Sequence, residues 1–600
     1  MTAGARLRAG RPDEAGELNA LALRSKAHWG YPDSALAAGR TQLEVTADEM
    51  GQRRVTVAEQ DGRLLGFATL EGSGPHGRLG LLFVEPSAIG RGHGTRLYRH
   101  VLEEAARLGF ERVLIDADPH AEGFYRRMGA QRGGASSEPG LVPMMAFPRR
   151  PEPGWVAAWT GGRDGGRAVH LGNVAEFHRQ FDAVAAPVRA EADHYACMAV
   201  FAGPRPAMVV LPQRVGHWWV RGLAERLAWG QVEVHAVEPG PGGLCEAVSA
   251  REALLERIRA SGLPVLAWGR TAQAEQIMAG VGPGPGPGPG AGGGAGGRAL
   301  RVARAYESKA TAHALFLRLA ADGHPDVVVP AQRRFGSGRE LVRALSARAS
   351  AGLISVVKAE HGVGGSTTWI LTPRQLRRPG AARRMVRGLP PQARLLEDHV
   401  ANSGPFRAPT FDAVVADDGS VHPVGVGAME IVGTGYQGVT VGPGAVPDGL
   451  AQPVTAFGAA VGRALAAEGY RGWYDVDFVA GPDGRVAPTE INLRLTGPAV
   501  AFTVQARMDR LHGGRHLVRT LDCVPLGARL PEAALRTHLD RLEQTCEDLG
   551  VTLLPTIPTA AGNDRPYLGV ALAARSGDAL DAAEALLVRS SSALADAFSG

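Results

Sequence analysis

GWYDVDFVAGPDGRVAPTEINLRLTG, from Gly472 to Gly497, reads as two strands joined by a turn at Pro482-Asp483-Gly484. Proline presets one turn position and glycine accepts a positive φ at another. Strand side chains alternate between faces, so Asp475 and Asp477 share one face of the first strand. By the same period Glu490, Asn492 and Arg494 share a face of the second. Carboxylates, an amide and a guanidinium thus collect on one surface within apolar flanks, where unneutralised charge is costly. Magnesium is the natural partner: it takes oxygen ligands from a few carboxylates and fills its octahedron with water and phosphate. Arg494 is placed to brace a transferring phosphoryl group and an acyl-phosphate oxygen. A solvent-exposed face of paired charges is the competing reading, and the apolar flanks weigh against it.

Upstream, LISVVKAEHGVGGSTTWIL (Leu353 to Leu371) sets Lys358 on an apolar strand just before a glycine-rich loop. The lysine acts as a point charge on phosphates, and amides around Gly364, Gly365 and Ser366 cover them. In ESKATAHALFLRLAADGHPDVVVP (Glu307 to Pro330), Lys309 opens an amphipathic helix that stops before Gly323, and an extended strand is predicted after it. Singly, either lysine is weak evidence. Their order and spacing relative to the hairpin make them useful.

The amino-terminal part carries a different motif. The strand Leu79 to Val84 leads through Glu85-Pro86 into IGRGHGTRL and a helix. Gly90, Gly92 and Gly94 let successive N–H groups converge, and the helix opening near Thr95 adds its positive end, which together make an anion cradle. The spacing alone equally suits a nucleotide or a tight structural turn.

The chain has 600 residues, 45% hydrophobic and 21% charged, enough for three to five ordinary domains. A net charge of +5 suits anionic small molecules, and no Lys/Arg block argues for nucleic acid. The four cysteines lack CxxC or CxH spacing, which excludes a zinc knuckle or disulfide scaffold and predicts a reducing compartment. The start has no apolar signal core and no 18-residue apolar run exists, so a cytoplasmic protein without membrane spans is expected. Gly-Pro alternation at Gly282–Gly297 reads as an exposed loop or linker. In the stretch 152–281, MAVFAG, AMVVLP and VEVHAV are predicted as strands. The tail holds one helix around EAALRTHLDRLEQTCEDLG and two strands, VTLLPTIP and YLGVALAA.

Residues 1–150 resemble the GNAT family of acyl-CoA N-acyltransferases through SKAHWGY, FVEPSAIGRGHGTRL and HAEGFYRRMGA. The resemblance implies that Arg91, Gly92, His93, Gly94 and Thr95 cradle the pyrophosphate of acetyl-CoA. It also implies that Phe83 and Val84, on a splayed strand, hold the pantetheine and acetyl group, and that Tyr125 protonates the leaving thiolate. Ile89 stands where the family usually has Arg or Gln, which shifts a phosphate contact toward Arg91. Glu85 is a candidate base for the acceptor amine; a solvated loop glutamate is its plainer reading, as a core aromatic is for Tyr125.

Residues 299–515 resemble the ATP-grasp superfamily. That resemblance implies that Lys309 and Lys358 grip the ATP phosphates, that LLEDHV, with Glu397, Asp398 and Val400, meets the adenine, and that Asp477, Glu490 and Asn492 hold magnesium. His313 replaces a further lysine found in some members, and no ribose-clasping glutamate is evident. Within it the chain resembles the pheganomycin-type peptide ligases, on TEINLRLTGP and, loosely, the tail. This resemblance implies a Rossmann-like pre-ATP-grasp layer at 151–281, a linker at 282–298 and a small carboxyl-terminal domain at 516–600. The expected architecture is therefore α/β and α+β multidomain. The expected activity joins acetyl-CoA-dependent N-acetylation to Mg-ATP-dependent amide formation from small carboxylate and amine substrates, in peptide natural-product or small-peptide biosynthesis. Alternatives are a ligase with a non-catalytic GNAT-like module, an N-acetylated dipeptide synthetase, a regulatory protein with a dead ligase site, and a carboxylase or purine-pathway ligase of the same superfamily, the carboxylase disfavoured by the lack of an AMKM-type biotin-acceptor segment. Any oligomer is expected to be a homodimer.

Overall fold

The computed structural model describes residues 5–32, 34, 43–73, 75–133, 140–162, 164–181, 186–281, 293–362, 367–402, 406 and 408–597. The chain is a mixed α/β multidomain protein that divides into two compact units, residues 1–151 with 509–515, and residues 152–508 with 516–600.

The first unit is built on a seven-stranded sheet. Arg63–Glu71 forms a hairpin with Thr56–Gln60 on a turn in which Asp61 and Gly62 both take positive φ, the geometry such tight hairpins need. His76–Val84 runs antiparallel to Arg63–Glu71 and parallel to Arg112–Ala117. The parallel register ends at Leu79 and Ile115, although the first strand continues to Val84. The two strands therefore part, and their divergence opens the sheet beside Phe83 and Val84. Helix His93–Arg107 packs Leu97, Tyr98, Val101 and Ala105 into one core, while Leu18, Leu21 and Phe67 belong to a second.

Among the described residues the second unit holds three sheets. A four-stranded parallel sheet orders Glu233–Ala236, Arg205–Leu211, Arg167–Leu171 and Val265–Ala267. Its central strands Arg205–Leu211 and Arg167–Leu171 are mostly buried, as in a parallel sheet covered on both faces. The segment MAVFAG, predicted as a strand, instead forms the 3-10 helix Ala196–Phe201. All six of its residues are buried, and an unbroken apolar run carries no periodicity to separate the two conformations. A four-stranded antiparallel sheet orders Gln332–Arg334, Ala393–Asp398, Ser355–Ala359 and Thr368–Leu371. An eight-stranded antiparallel sheet contains the hairpin, and the tail strands Leu517–Pro525, Tyr567–Ala574 and Thr552–Ile557 complete its far edge.

Three further expectations change. The helix Gly293–Tyr306 begins inside the stretch read as linker, because the Gly-Pro alternation has ended and the following RALRVARAY is a helix former. PDVVVP makes only a single bridge, Val327 to Val486, since its flanking prolines limit ladder pairing. The second hairpin strand ends at Asn492, so Arg494 lies beyond it and bridges Gly269.

Candidate active sites

The hairpin register places Asp475 opposite Asn492 and Asp477 opposite Glu490. On the neighbouring strand Pro409–Val415, Asp412 faces Asp475. Asp412, Asp475, Asp477 and Glu490 thus lie side by side, and the first was not singled out from the sequence. Asn492 Nδ2 donates to Asp475 Oδ1 at 2.7 Å and Asp477 Oδ2 at 3.3 Å. Thr496 donates to the other Asp475 oxygen at 2.6 Å, and Trp473 Nε1 donates to Asp412 at 2.8 Å. Asp477 Oδ1 and Asp412 Oδ2 are buried with no hydrogen-bond partner.

Burial penalises the charged form of these acids and each resists its neighbour's ionisation. Asp475 is pushed up to about 7, chiefly by burial, with Thr496 and Asn492 opposing. Burial, then Asp475 and Glu490, push Asp477 well above the carboxylate range, and burial with Asp475 does the same to Asp412. Glu490 goes the other way: burial would raise it, but Lys309 holds it down.

The cations complete the site. Lys309 Nζ lies 2.7 Å from Glu490 and Lys358 Nζ 2.7 Å from Glu397. Both lysines are buried, so the plain surface reading of Lys309 does not hold. Ser308 caps the helix Lys309–Ala321 by accepting from Thr311 N–H, which fixes where Lys309 projects. Arg494 pairs with Glu307, whose other oxygen accepts Leu493 N–H at 2.8 Å, and its guanidinium lies 5.3 Å from the Phe177 ring. Glu307, another residue missed from sequence, is thus the brace of Arg494. His313 Nε2 donates to Pro330 O, 2.8 Å away.

Lys309, Lys358, Glu397, Asp398, Val400, Asp477, Glu490, Asn492 and Arg494 all line one cavity of about 1180 Å³. This is somewhat larger than the roughly 300–1,000 Å³ of a typical small-molecule site. Gly364, Gly365 and Ser366 lie outside the described residues.

Among the described residues no three His, Cys, Asp or Glu side chains are arranged as a metal cage. Magnesium does not require one, since phosphate and water supply much of its octahedron. The donor set fits it: Asp477 has an unpartnered buried oxygen, Asn492 presents an amide, and the local acids outnumber their cations.

In the first unit Gly90 and Gly92 have φ of 81° and 83°, and an added Cβ at either would meet open space. Gly92 caps the helix His93–Arg107 in the left-handed conformation. Arg91 is exposed, and His93, Gly94 and Thr95 form the first helical turn, whose N–H groups have no intrahelical acceptor. His93 is shifted down, first by burial and then by Arg96 and Arg91. Glu85 is buried rather than a solvated loop residue, and Arg24 donates to it at 2.8 Å. Tyr125 is buried against Phe124 and Tyr98, with ring centroids at 5.1 and 5.7 Å. Burial, then Tyr98 and Asp118, raise its phenol well above the ordinary value, so it stays protonated.

Residues 22–130 match the model of the acetyltransferase (GNAT) family. No curated protein matches the chain. Solved structures with detectable likeness include PaiA N-acetyltransferase from Thermoplasma acidophilum in complex with coenzyme A. It is 14% identical, with a TM-score of 0.22, over 24% of this chain and 98% of that one. N5-carboxyaminoimidazole ribonucleotide synthetase from Thermus thermophilus is 16% identical, with a TM-score of 0.40, over 70% of this chain and 98% of that one. N5-carboxyaminoimidazole synthase from Aspergillus clavatus, in complex with ADP and 5-aminoimidazole ribonucleotide, is 14% identical. Its TM-score is 0.41 over 65% of this chain and 99% of that one. No helix among the described residues is long and apolar enough to cross a membrane.

Proposed function

We propose that the second unit joins a carboxylate to an amine at the expense of ATP, through an acyl phosphate. One observation carries this reading: Lys309, Lys358 and Arg494 share a cavity with Asp477, Glu490 and Asn492. Magnesium, held by Asp477, Glu490 and Asn492, would link the terminal phosphates to the hairpin and offset their charge. Lys309 and Lys358 attract the same phosphates as point charges, exchanging Glu490 and Glu397 for phosphate oxygens. The strand carrying Glu397 and Asp398 supports the base. Arg494, held by Glu307, orients the carboxylate and stabilises charge on the acyl phosphate. The substrate carboxylate takes the γ-phosphoryl group and ADP leaves. The amine then attacks the acyl carbon, releasing phosphate and a proton. Water is kept out by the walls of the cavity, which favours amide formation over hydrolysis.

The first unit is proposed to transfer acetyl from acetyl-CoA to an amine. Backbone N–H groups of Gly92 to Thr95 hold the pyrophosphate, and Phe83 and Val84 hold pantetheine at the opened strand. Tyr125 protonates the thiolate, and Glu85 accepts the amine proton through water. A binding-only module is the second reading, favoured by Ile89 in the loop and by the Arg24 clamp on Glu85. Peptide biosynthesis and a cytoplasmic setting belong to the same proposal. Incubating the chain with Mg-ATP, acetyl-CoA and pooled amino acids, with mass spectrometry of the products, tests it. Amides formed with ADP, and acetylated amines, are the expected products. Their absence from every mixture overturns the respective half.

A further inference from the structure

The cavity has a second pole, made of residues the ligase chemistry above leaves unused. Tyr195 donates to Asp522 Oδ2 at 2.9 Å, and Tyr567 donates to Glu191. Asp522 is 5% exposed, and its other oxygen, Oδ1, is buried with no partner. The Tyr436 hydroxyl is likewise buried and unpartnered. All five residues line the same cavity as the lysines and Arg494. Among the described residues neither Asp522 nor Glu191 has an ion pair.

A buried acceptor left open is costly, so such a group is informative when it faces a cavity. The phenol bonds already fix both carboxylates, and the free oxygen of ionised Asp522 can only accept. Burial pushes Asp522 up to about 7, as expected for an acid awaiting a positive partner. The two poles adjoin. A Cβ at Gly497 would come within 2.3 Å of the Tyr436 hydroxyl, and the preceding Thr496 bonds Asp475 of the hairpin. Tyr195 feels both ends, Asp522 raising its phenol and Arg494 lowering it, after the larger effect of burial.

We infer that Asp522, with Tyr195 and Tyr436, is a subsite for the free ammonium group of the substrate whose carboxylate is activated beside Arg494. The carboxylate substrate is then a zwitterion, an amino acid or short peptide with an unblocked amino group. Its role in turnover rests on the ligase reading, but its binding does not.

Calorimetric titration of the full chain with the free amino acids, and with the matching des-amino carboxylic acids, tests this. At least one amino acid is expected to bind at least tenfold tighter than its des-amino analogue. Asp522→Asn should remove that preference, and Tyr436→Phe, which deletes an unpaired hydroxyl, should weaken it about threefold without unfolding. If Asp522→Asn does not fold, Tyr195→Phe replaces it, with the same direction expected. No amino acid binding, equal binding of both series, or a preference that survives these substitutions overturns the inference. A parallel Mg-ATP titration separates the two ideas. Nucleotide binding without amino-acid preference sinks only the subsite, and the reverse result sinks only the ligase.

Discussion

The two candidate sites are made of different material. In the first unit the anion cradle is backbone: a glycine with a φ of 83°, a helix start, and a strand that leaves its neighbour after Leu79. In the second unit the site is almost all charged side chains, buried and held in pairs, with Asp477 and Asp412 each keeping an unpartnered oxygen. A backbone cradle is preorganised and neutral, so it survives most side-chain changes. A charged cluster is stable only when its charges balance, and here the balance is left for ligands to complete. The difference teaches where each site can be broken.

The largest effect is expected at Asp477→Asn. Loss of the carboxylate aimed into the cavity should cut ADP formation about 10²–10³-fold, measured by coupled ADP assay, with acetyl transfer unchanged. Tyr125→Phe should do the converse, lowering acetyl transfer about 10²-fold, measured by thiol release, with ADP formation intact. A change that struck both activities equally would break the two-site comparison. Gly92→Ala sharpens it further. An alanine there meets no steric neighbour but must hold a left-handed backbone, costing about 1–2 kcal/mol. The KM for acetyl-CoA should rise by up to about tenfold with kcat little changed.

The smallest effect is on stability. Asp475 titrates near 7 in the folded chain against an ordinary value of 3.8. Its native state holds the proton more tightly, so the stability it contributes is full below about pH 4 and is lost as pH rises toward 7. The ligand-free chain should therefore melt a few degrees lower at pH 7 than at pH 5 in excess of Asp475→Asn. Mg-nucleotide should narrow that gap. Glu14 of the first unit is the contrast: its hydrogen bond to Arg8 holds it down near 2, so its contribution is present above about pH 4.5 and is lost in acid.

Much of the second site was legible because it obeys short-range rules. Alternation placed Asp475, Asp477, Glu490 and Asn492 together, and the strand around Lys358 formed as its apolar pattern required. Glu307 and Asp412 were not found, although each left a trace: an acid two residues before Lys309, and a lone acid within the apolar run PTFDAVV. Tyr195, Asp522 and Tyr567 left none, since three separate segments meet only through tertiary packing. The MAVFAG helix was missed because complete burial erases periodicity. In the first unit the glycine loop was plain, but the tie of Arg24 to Glu85 spans 61 residues and has no local signature.

The central claim is that the hairpin acids and the buried lysines form one nucleotide–metal site. A crystal structure of the chain with magnesium and a non-hydrolysable ATP analogue tests it directly. The account predicts the ion between Asp477, Glu490 and Asn492 and the terminal phosphates within reach of Lys309 and Lys358. Nucleotide bound elsewhere, or Lys309 still locked to Glu490 with no ion nearby, would contradict it.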